Sequence, residues 1–289
     1  MPSVQASRPL VLRPFLHEFV QDVLVAEGML YLADSKKYRG SSVMDDEQIE
    51  LGNWTKEKLD HMLAKATSIV EIGPRIAFIS SQFMGTPYKE STLIGDARTP
   101  EVFVINLEAI DCFTYLDYVE SMRLSESFSR FKTNLKKIRY RLGRVAYVHR
   151  NHFFTDWKEW NPSVTDVTGE IGRRRVRVVP KRLNEKTDTT YFVAGIPFTE
   201  RDVTYIPTAI IDEAVIDSLR TGDYVGIYTE AAGLDVSHVG IIIKGEDSAH
   251  LRHASSAPSH RKVIDEEFKT YISGKPGMIV LRPTCYTVP

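Results

Sequence analysis

An α+β fold with an antiparallel sheet is the class that the sequence predicts, on three observations. Helix-forming patterns crowd the first half of the chain, up to Leu142. Runs of β-branched and aromatic residues broken by turn residues fill the second half. The two kinds of segment are segregated and do not alternate as βαβ units would. At 289 residues, 43% hydrophobic and 26% charged, the chain is long enough to bury a sizeable core.

Residues 1–75 read as an N-terminal helical region packed on the core formed by 76–289. Within it, Pro14 to Val25 carries apolar residues at helical spacing, Ser35 to Asp46 reads as a loop, and Asn53-Trp54-Thr55 starts a second helix with a cap. A further helix follows Pro74 and ends at the Gly85-Thr86-Pro87 turn. Asp111 is an N-cap whose carboxylate is placed to accept from the Thr114 amide. The next helix begins near Ser125 and stops at Gly143. Strands are expected over 173–183, 190–196 and 203–206. After a short helix over 212–219, more are expected over 224–228, 238–243, 250–254 and 278–281.

The 37 basic and 38 acidic residues leave a formal charge of −1, which argues against a dedicated nucleic-acid partner. No stretch approaches the length of a membrane span, and the first 30 residues do not read as a signal peptide. The protein is cytoplasmic, or periplasmic or secreted if a signal has been removed. Oligomeric state is not legible. Two cysteines, Cys112 and Cys285, do not make a disulfide framework. Cys285, four residues from the C-terminus, is expected to be dispensable.

Cys112 follows a helix cap, where helix-start amides and the macrodipole favour an anion and so a depressed thiol pKa. Its helix presents Tyr115, Leu116, Val119 and Met122 on the same face. A nucleophilic cysteine needs a base and a group that orients it. His238 opens an apolar strand, and His253 lies fifteen residues on, in the next strand, where antiparallel pairing brings the two imidazoles side by side. The plain alternatives are a small buried hydrophobe at Cys112 and structural histidines. Zinc is the competing chemistry. His250 and His253 point to opposite faces of a strand, and His149 and His152, which can share a helix face, have no third ligand at zinc-like spacing, so no metal and no cofactor is expected.

Gly85-Thr86-Pro87-Tyr88, then Asp111-Cys112-Phe113-Thr114, Gly222-Asp223, Ser237-His238-Val239-Gly240 and His253-Ala254-Ser255 occur in this order. Together they resemble the N-acetylmuramoyl-L-alanine amidase-like family, a branch of the NlpC-type, papain-like cell-wall cysteine peptidases. The resemblance implies a papain-like fold in which a helix bearing Cys112 packs on an antiparallel sheet bearing both histidines. It implies Cys112 as nucleophile, His238 as general base and His253 as its orienting residue. Tyr88, Asp111 and Ser237 would face substrate, with Tyr88 helping the oxyanion and Asp111 meeting a substrate amine. Arg150 is a further substrate contact.

The substrates so implied are peptidoglycan fragments, cut at the amide between N-acetylmuramic acid and L-alanine. Two rivals stand beside this: an endopeptidase cutting the D-glutamyl–diamino acid bond of the stem, and a non-catalytic module that binds wall fragments. The basic run Arg173-Arg174-Arg175-Val176-Arg177 and Lys181-Arg182 reads as a strand with one charged face, either solvated or meeting an acidic stem. Trp157 and Trp160 are candidates for stacking on a sugar, or are core aromatics.

Overall fold

The computed structural model describes residues 47–246 and 248–285. The helix expected over 14–25 and the loop expected over 35–46 lie outside them. Strand β1 (Glu47–Glu50) leads into helices α1 (Lys56–Thr67) and α2 (Ile72–Ser81). Thr55 caps α1, its hydroxyl accepting from the Lys58 amide at 3.2 Å. β1 runs parallel to β2 (Phe103–Asn106). Neither strand was expected, because four residues are too few to show a period.

The helical half continues with α3 (Cys112–Arg123), α4 (Phe128–Arg139) and the short α5 (Asp156–Trp160). Then come β3 (Val164–Asp166), α6 (Thr168–Gly172), β4 (Arg177–Leu183), β5 (Glu185–Thr187), β6 (Thr190–Tyr191), β7 (Thr199–Pro207) and α7 (Glu213–Ser218). The last third holds β8 (Tyr224–Tyr228), β9 (Val236–Lys244), β10 (Ala249–Ala254), β11 (Val263–Glu267), α8 (Phe268–Ile272) and β12 (Gly277–Pro283). Among the described residues, β11-β10-β9-β8-β12-β7-β4 form one antiparallel sheet in that order, with β3 also on β12. The segregation of helices and strands along the sequence therefore yields the expected α+β architecture.

The sheet is covered on both faces. Tyr115 and Val119 of α3 pack with Val239, Ile241, Ile279 and Leu281 on one face, where α1, α2 and α4 join the same core. Phe268 and Ile272 of α8, with Val215 of α7 and Ile171 of α6, pack with Ile227, Ile242, Leu251 and Val280 on the other. Double coverage is why β9 reads as an unbroken apolar run instead of alternating.

Helix α3 is enclosed on all sides: every residue from Thr114 to Arg123 is buried. Its polar groups must then find partners inside the protein. Tyr115 donates its hydroxyl to the Ser80 carbonyl on α2 at 3.1 Å, and Tyr118 accepts from the Asn106 amide on β2 at 2.8 Å. Asp117 accepts from Arg139 of α4 at 2.9 Å, and burial still pushes its carboxyl up to about 6 against that cation. Glu120 binds Arg123 through two contacts of 2.8 and 2.6 Å and accepts from Tyr224 of β8 at 2.8 Å.

Three segments differ from expectation. Arg173–Arg175 form a single 3-10 turn with Arg173 at φ 53, and the strand begins only at Arg177. Lys181 does not belong to a charged face. It is buried, with its ammonium on the carbonyls of Thr229, Ala231 and Leu234 at 2.5, 2.8 and 2.7 Å. The strand expected over 190–196 stops at Tyr191, because the Asn184 amide group binds the Val193 and Ile196 carbonyls at 3.0 and 2.7 Å and draws that stretch into a loop. His149 lies in a 3-10 turn and His152 beyond it, so they do not share a helix face.

Removing one partner of a fully desolvated ion pair leaves the other charge stranded. Glu120→Ala is expected to lower unfolding stability by about 3–5 kcal/mol in urea titration. Arg175→Ala, which breaks an ion pair to Asp212 that is largely exposed, is expected to leave the urea midpoint nearly unchanged.

Candidate active site

The turn into α3 is set by short side chains. Asn106 at the end of β2 accepts from the amides of Glu108 and Ala109, both at 3.0 Å, which curls the chain. Asp111 then accepts from the amides of Phe113 and Thr114 at 2.9 and 2.8 Å, and the Thr114 hydroxyl accepts from the Asp111 amide at 3.1 Å. This reciprocal cap starts the helix at Cys112. Only one oxygen of Asp111, Oδ1, is engaged; Oδ2 has no hydrogen-bond partner among the described residues.

The Gly85–Tyr88 segment ties this turn to the sheet edge. On one side it exchanges backbone bonds with Val263 and Arg261 at the start of β11, and on the other with Ile110. Gly85 sits at φ 81, a left-handed conformation that favours glycine. Tyr88 is thereby held beside the Cys112 turn. Burial, with the charges of Cys112 and Asp111 adding, pushes its phenol up to about 12, so it remains a hydrogen-bond donor at neutral pH.

His238 opens the pairing of β9 opposite Ile227, and a β-bulge leaves Ser237 as the extra residue before Val236 meets Tyr228. Bulges re-aim side chains, and this one sits directly before His238. His253 lies on the neighbouring strand, diagonal to His238 across Gly240. A Cβ at Gly240 would stand 2.7 Å from the Leu251 side chain and 3.1 Å from the Arg252 carbonyl, so the close packing here requires glycine. His238 Nε2 and His253 Nδ1 are 2.7 Å apart, with the rings perpendicular. His253 Nε2 meets Glu266 Oε2 of β11 at 2.7 Å. Tyr271 of α8 packs edge-on against His253 at 5.0 Å between ring centroids and lies 6.3 Å from His238.

Cys112 packs against the core that includes Val239, the residue after His238, and the amides of Val239, Cys112 and Phe113 act to lower its thiol pKa. These donors do not carry the day. Burial pushes the thiol up to about 12, the Asp111 carboxylate adding to it. The depressed thiol pKa expected from the helix start is therefore corrected. One turn of helix dipole is worth about 1 kcal/mol, whereas desolvating a thiolate among core side chains costs several times that. Burial likewise pushes His238 down to about 3, with the His253 and Lys275 charges adding. His253 is lowered by burial and partly restored by Glu266. The resting pair is a neutral thiol and a neutral imidazole.

A cleft of about 560 Å³ is lined by His238, His253, Ser255, Glu266, Tyr271 and Lys275; Cys112, Tyr88 and Asp111 are not part of its lining. Tyr88 and Asp111 stand close enough to Cys112 to act on its charge, and Tyr271 of the cleft lining also feels the Cys112 charge. Ser237 is next to His238 but exposed, its hydroxyl on the Ile227 carbonyl at 3.4 Å. Arg150 is clamped on Glu101 by contacts of 2.5 and 3.2 Å, with Tyr140 donating to the same carboxylate at 2.7 Å. Trp157 is fully buried against Tyr224 and Phe113, so it offers no sugar platform; Trp160 is exposed with Arg141 over its ring. Among the described residues no cluster of His, Cys, Asp or Glu is arranged to hold a metal ion.

Glu266 and Tyr271 went unnoticed in the sequence. They belong to β11 and α8, neither of which was expected, and only the register of β10 against β11 distinguishes Glu266 from the acids on either side of it.

The sequence matches the N-acetylmuramoyl-L-alanine amidase-like family over residues 78–278. Among solved structures, an N-acetylmuramoyl-L-alanine amidase from Bacteroides uniformis ATCC 8492 is 29% identical with a TM-score of 0.63, covering 74% of this chain and 99% of that one. A second B. uniformis amidase structure gives 28%, 0.61, 74% and 99%. A Legionella pneumophila str. Philadelphia 1 protein, 21% identical, shares the fold with a TM-score of 0.66 over 80% of this chain and 96% of that one. No curated protein matches. Because the family match spans more than half of the sequence and takes in Tyr88, Asp111, Cys112, His238 and His253, this protein belongs to the N-acetylmuramoyl-L-alanine amidase-like family.

Proposed function

We propose that this chain is a cysteine hydrolase of papain-like, NlpC type that cuts the amide between N-acetylmuramic acid and L-alanine in peptidoglycan fragments. It would act outside the cytoplasm, where the wall is. What supports this is a capped cysteine at the start of α3, packed against the core that includes Val239 of β9, and on that strand, one residue before Val239, His238 hydrogen-bonded to His253 at 2.7 Å. A module that only binds wall fragments has no use for such a constellation.

In the mechanism, His238 removes the Cys112 proton as sulfur attacks the amide carbonyl, because the resting thiol is neutral. The C–S bond forms and the carbonyl oxygen becomes an oxyanion, with helix-start amides and the Tyr88 hydroxyl as donors. His238 returns the proton to the leaving amine as the C–N bond breaks. Water then attacks the thioester, giving one proton to His238, which hands it back to sulfur. His253 holds His238 in place. One observation favours a second reading, in which the D-glutamyl–diamino acid bond is cut: the unpartnered Oδ2 of Asp111 suits the free amine of a trimmed stem.

Incubating a disaccharide-tetrapeptide with wild type is expected to release free disaccharide and intact tetrapeptide by mass spectrometry, with Cys112→Ala slower by about 10³-fold or more. A dipeptide product would replace the amidase by the endopeptidase, and no cleavage by wild type would leave a binding module.

The raised thiol has a sign that can be tested. Iodoacetamide labelling of Cys112 should keep rising beyond pH 9, whereas a preformed thiolate would give a plateau below pH 7. Because His238 is depressed, its base form persists into acid, and the acidic limb of kcat/KM should lie below the ordinary imidazole value of 6.5.

Tyr88→Phe should reduce kcat by about 100- to 1,000-fold, as the loss of one oxyanion donor does, with the labelling profile of Cys112 unchanged. An unchanged kcat would remove Tyr88 from the site.

A further inference from the structure

The acids of β11 have separate partners. Asp265 grips Arg252 with two contacts of 2.7 Å. Glu267 caps α8, accepting from the Lys269 and Thr270 amides at 2.9 and 2.7 Å. Glu266 stands opposite Leu251 and therefore diagonal to His253 on the same face, within reach of a long side chain. Its Oε2 is 2.7 Å from His253 Nε2, and its side chain is 34% exposed against 2% for His253.

We propose that Glu266 sets the tautomer of both histidines in series, so that His238 presents a bare Nδ1 to the Cys112 thiol. This rests on the cysteine hydrolase proposed above. A carboxylate can only accept, so His253 must carry its proton on Nε2. A neutral imidazole has one N–H, which leaves His253 Nδ1 as a lone pair. That lone pair faces His238 Nε2 at 2.7 Å, so the His238 proton sits on Nε2 and its remaining lone pair is on Nδ1. The opposite order would place a lone pair of His253 against the Glu266 carboxylate. One acid on an edge strand thus decides, through His253, which nitrogen of the half-buried His238 ring acts as base.

The proton taken from sulfur stays on His238 Nδ1 until it passes to the leaving amine; none crosses to Glu266. When His238 is charged, the His253 dipole and the Glu266 charge both favour that state. Other groups face the pair too: Tyr271 from α8, which also feels the Cys112 charge, Lys275 beyond it, Asp265 from β11 and His260 from the turn before β11. Glu266 is the carboxylate in direct hydrogen-bond contact with it. Glu266 is a positioning residue, and its effect reaches the reaction only through His253 and His238.

The test uses the full chain with the disaccharide-tetrapeptide. In nitrogen-15 spectra of the wild type at neutral pH, both rings are expected to carry the proton on Nε2 with Nδ1 bare. Glu266→Gln keeps the shape and removes the charge. It should lower kcat/KM by about 10- to 100-fold, part of the 10²–10⁴ a positioned base supplies, and move the acidic limb by about one pH unit toward acid. Glu266→Asp should bring the limb back toward wild type, which a purely structural loss would not do. A proton on His253 Nδ1 in wild type would overturn the proposal, as would a Glu266→Gln variant with an unmoved limb. Activity surviving in Cys112→Ala would instead sink the hydrolase reading, while the ring spectra would still judge Glu266 on their own.

Discussion

Burial of α3 from Thr114 to Arg123 is the constraint on which the rest of the structure hangs. A helix exposed on one face can leave its polar groups to water; this one cannot, and several of its polar groups are matched from other elements. Tyr115 to α2, Tyr118 to β2, Asp117 to α4 and Glu120 to β8 tie four neighbours to one helix. Such links do little for net stability, since ion pairs in a core barely offset their desolvation. They do restrict the helix to one rotation and one height, and its first residue is Cys112. The position of the sulfur is therefore set by groups as far along the helix as Glu120.

The same burial shapes the chemistry. Desolvation raises the thiol and lowers both imidazoles, so the neutral forms are favoured on each side. The amides of Cys112 and Phe113 at the helix start and of Val239 on β9 favour the thiolate, yet an acidic cap stands one residue away and the surroundings are apolar. The site is better described as a neutral pair poised for proton transfer than as a standing ion pair. Charge then develops only as the bond forms, where preorganised donors contribute most.

Much of this was legible in the residues, where the signal is local. The cap at Asp111 was readable because capping is decided within three residues. β8 to β10 and β12 were readable because apolar runs bounded by Gly and Asp mark buried strands. The pairing of His238 with His253 followed from a short turn between adjacent strands. The signal failed where a distant partner decides. Arg173–Arg175 and Lys181 read as one basic face, but a left-handed turn and three carbonyls from the 229–234 loop separate them. Asn184 broke a plausible strand by binding residues nine and twelve positions on.

The sequence by itself determined the fold class, the helix that starts at Cys112 and the strands that hold the two histidines. Those depend on caps, periodicity and short loops, whose interactions span a few residues. Only the tertiary structure decided the ionisation of the site and the choice of Glu266 among three consecutive acids. A pKa depends on what encloses a group from every side, and a diagonal contact depends on strand register. Neither quantity is a property of the residues next to it in the chain.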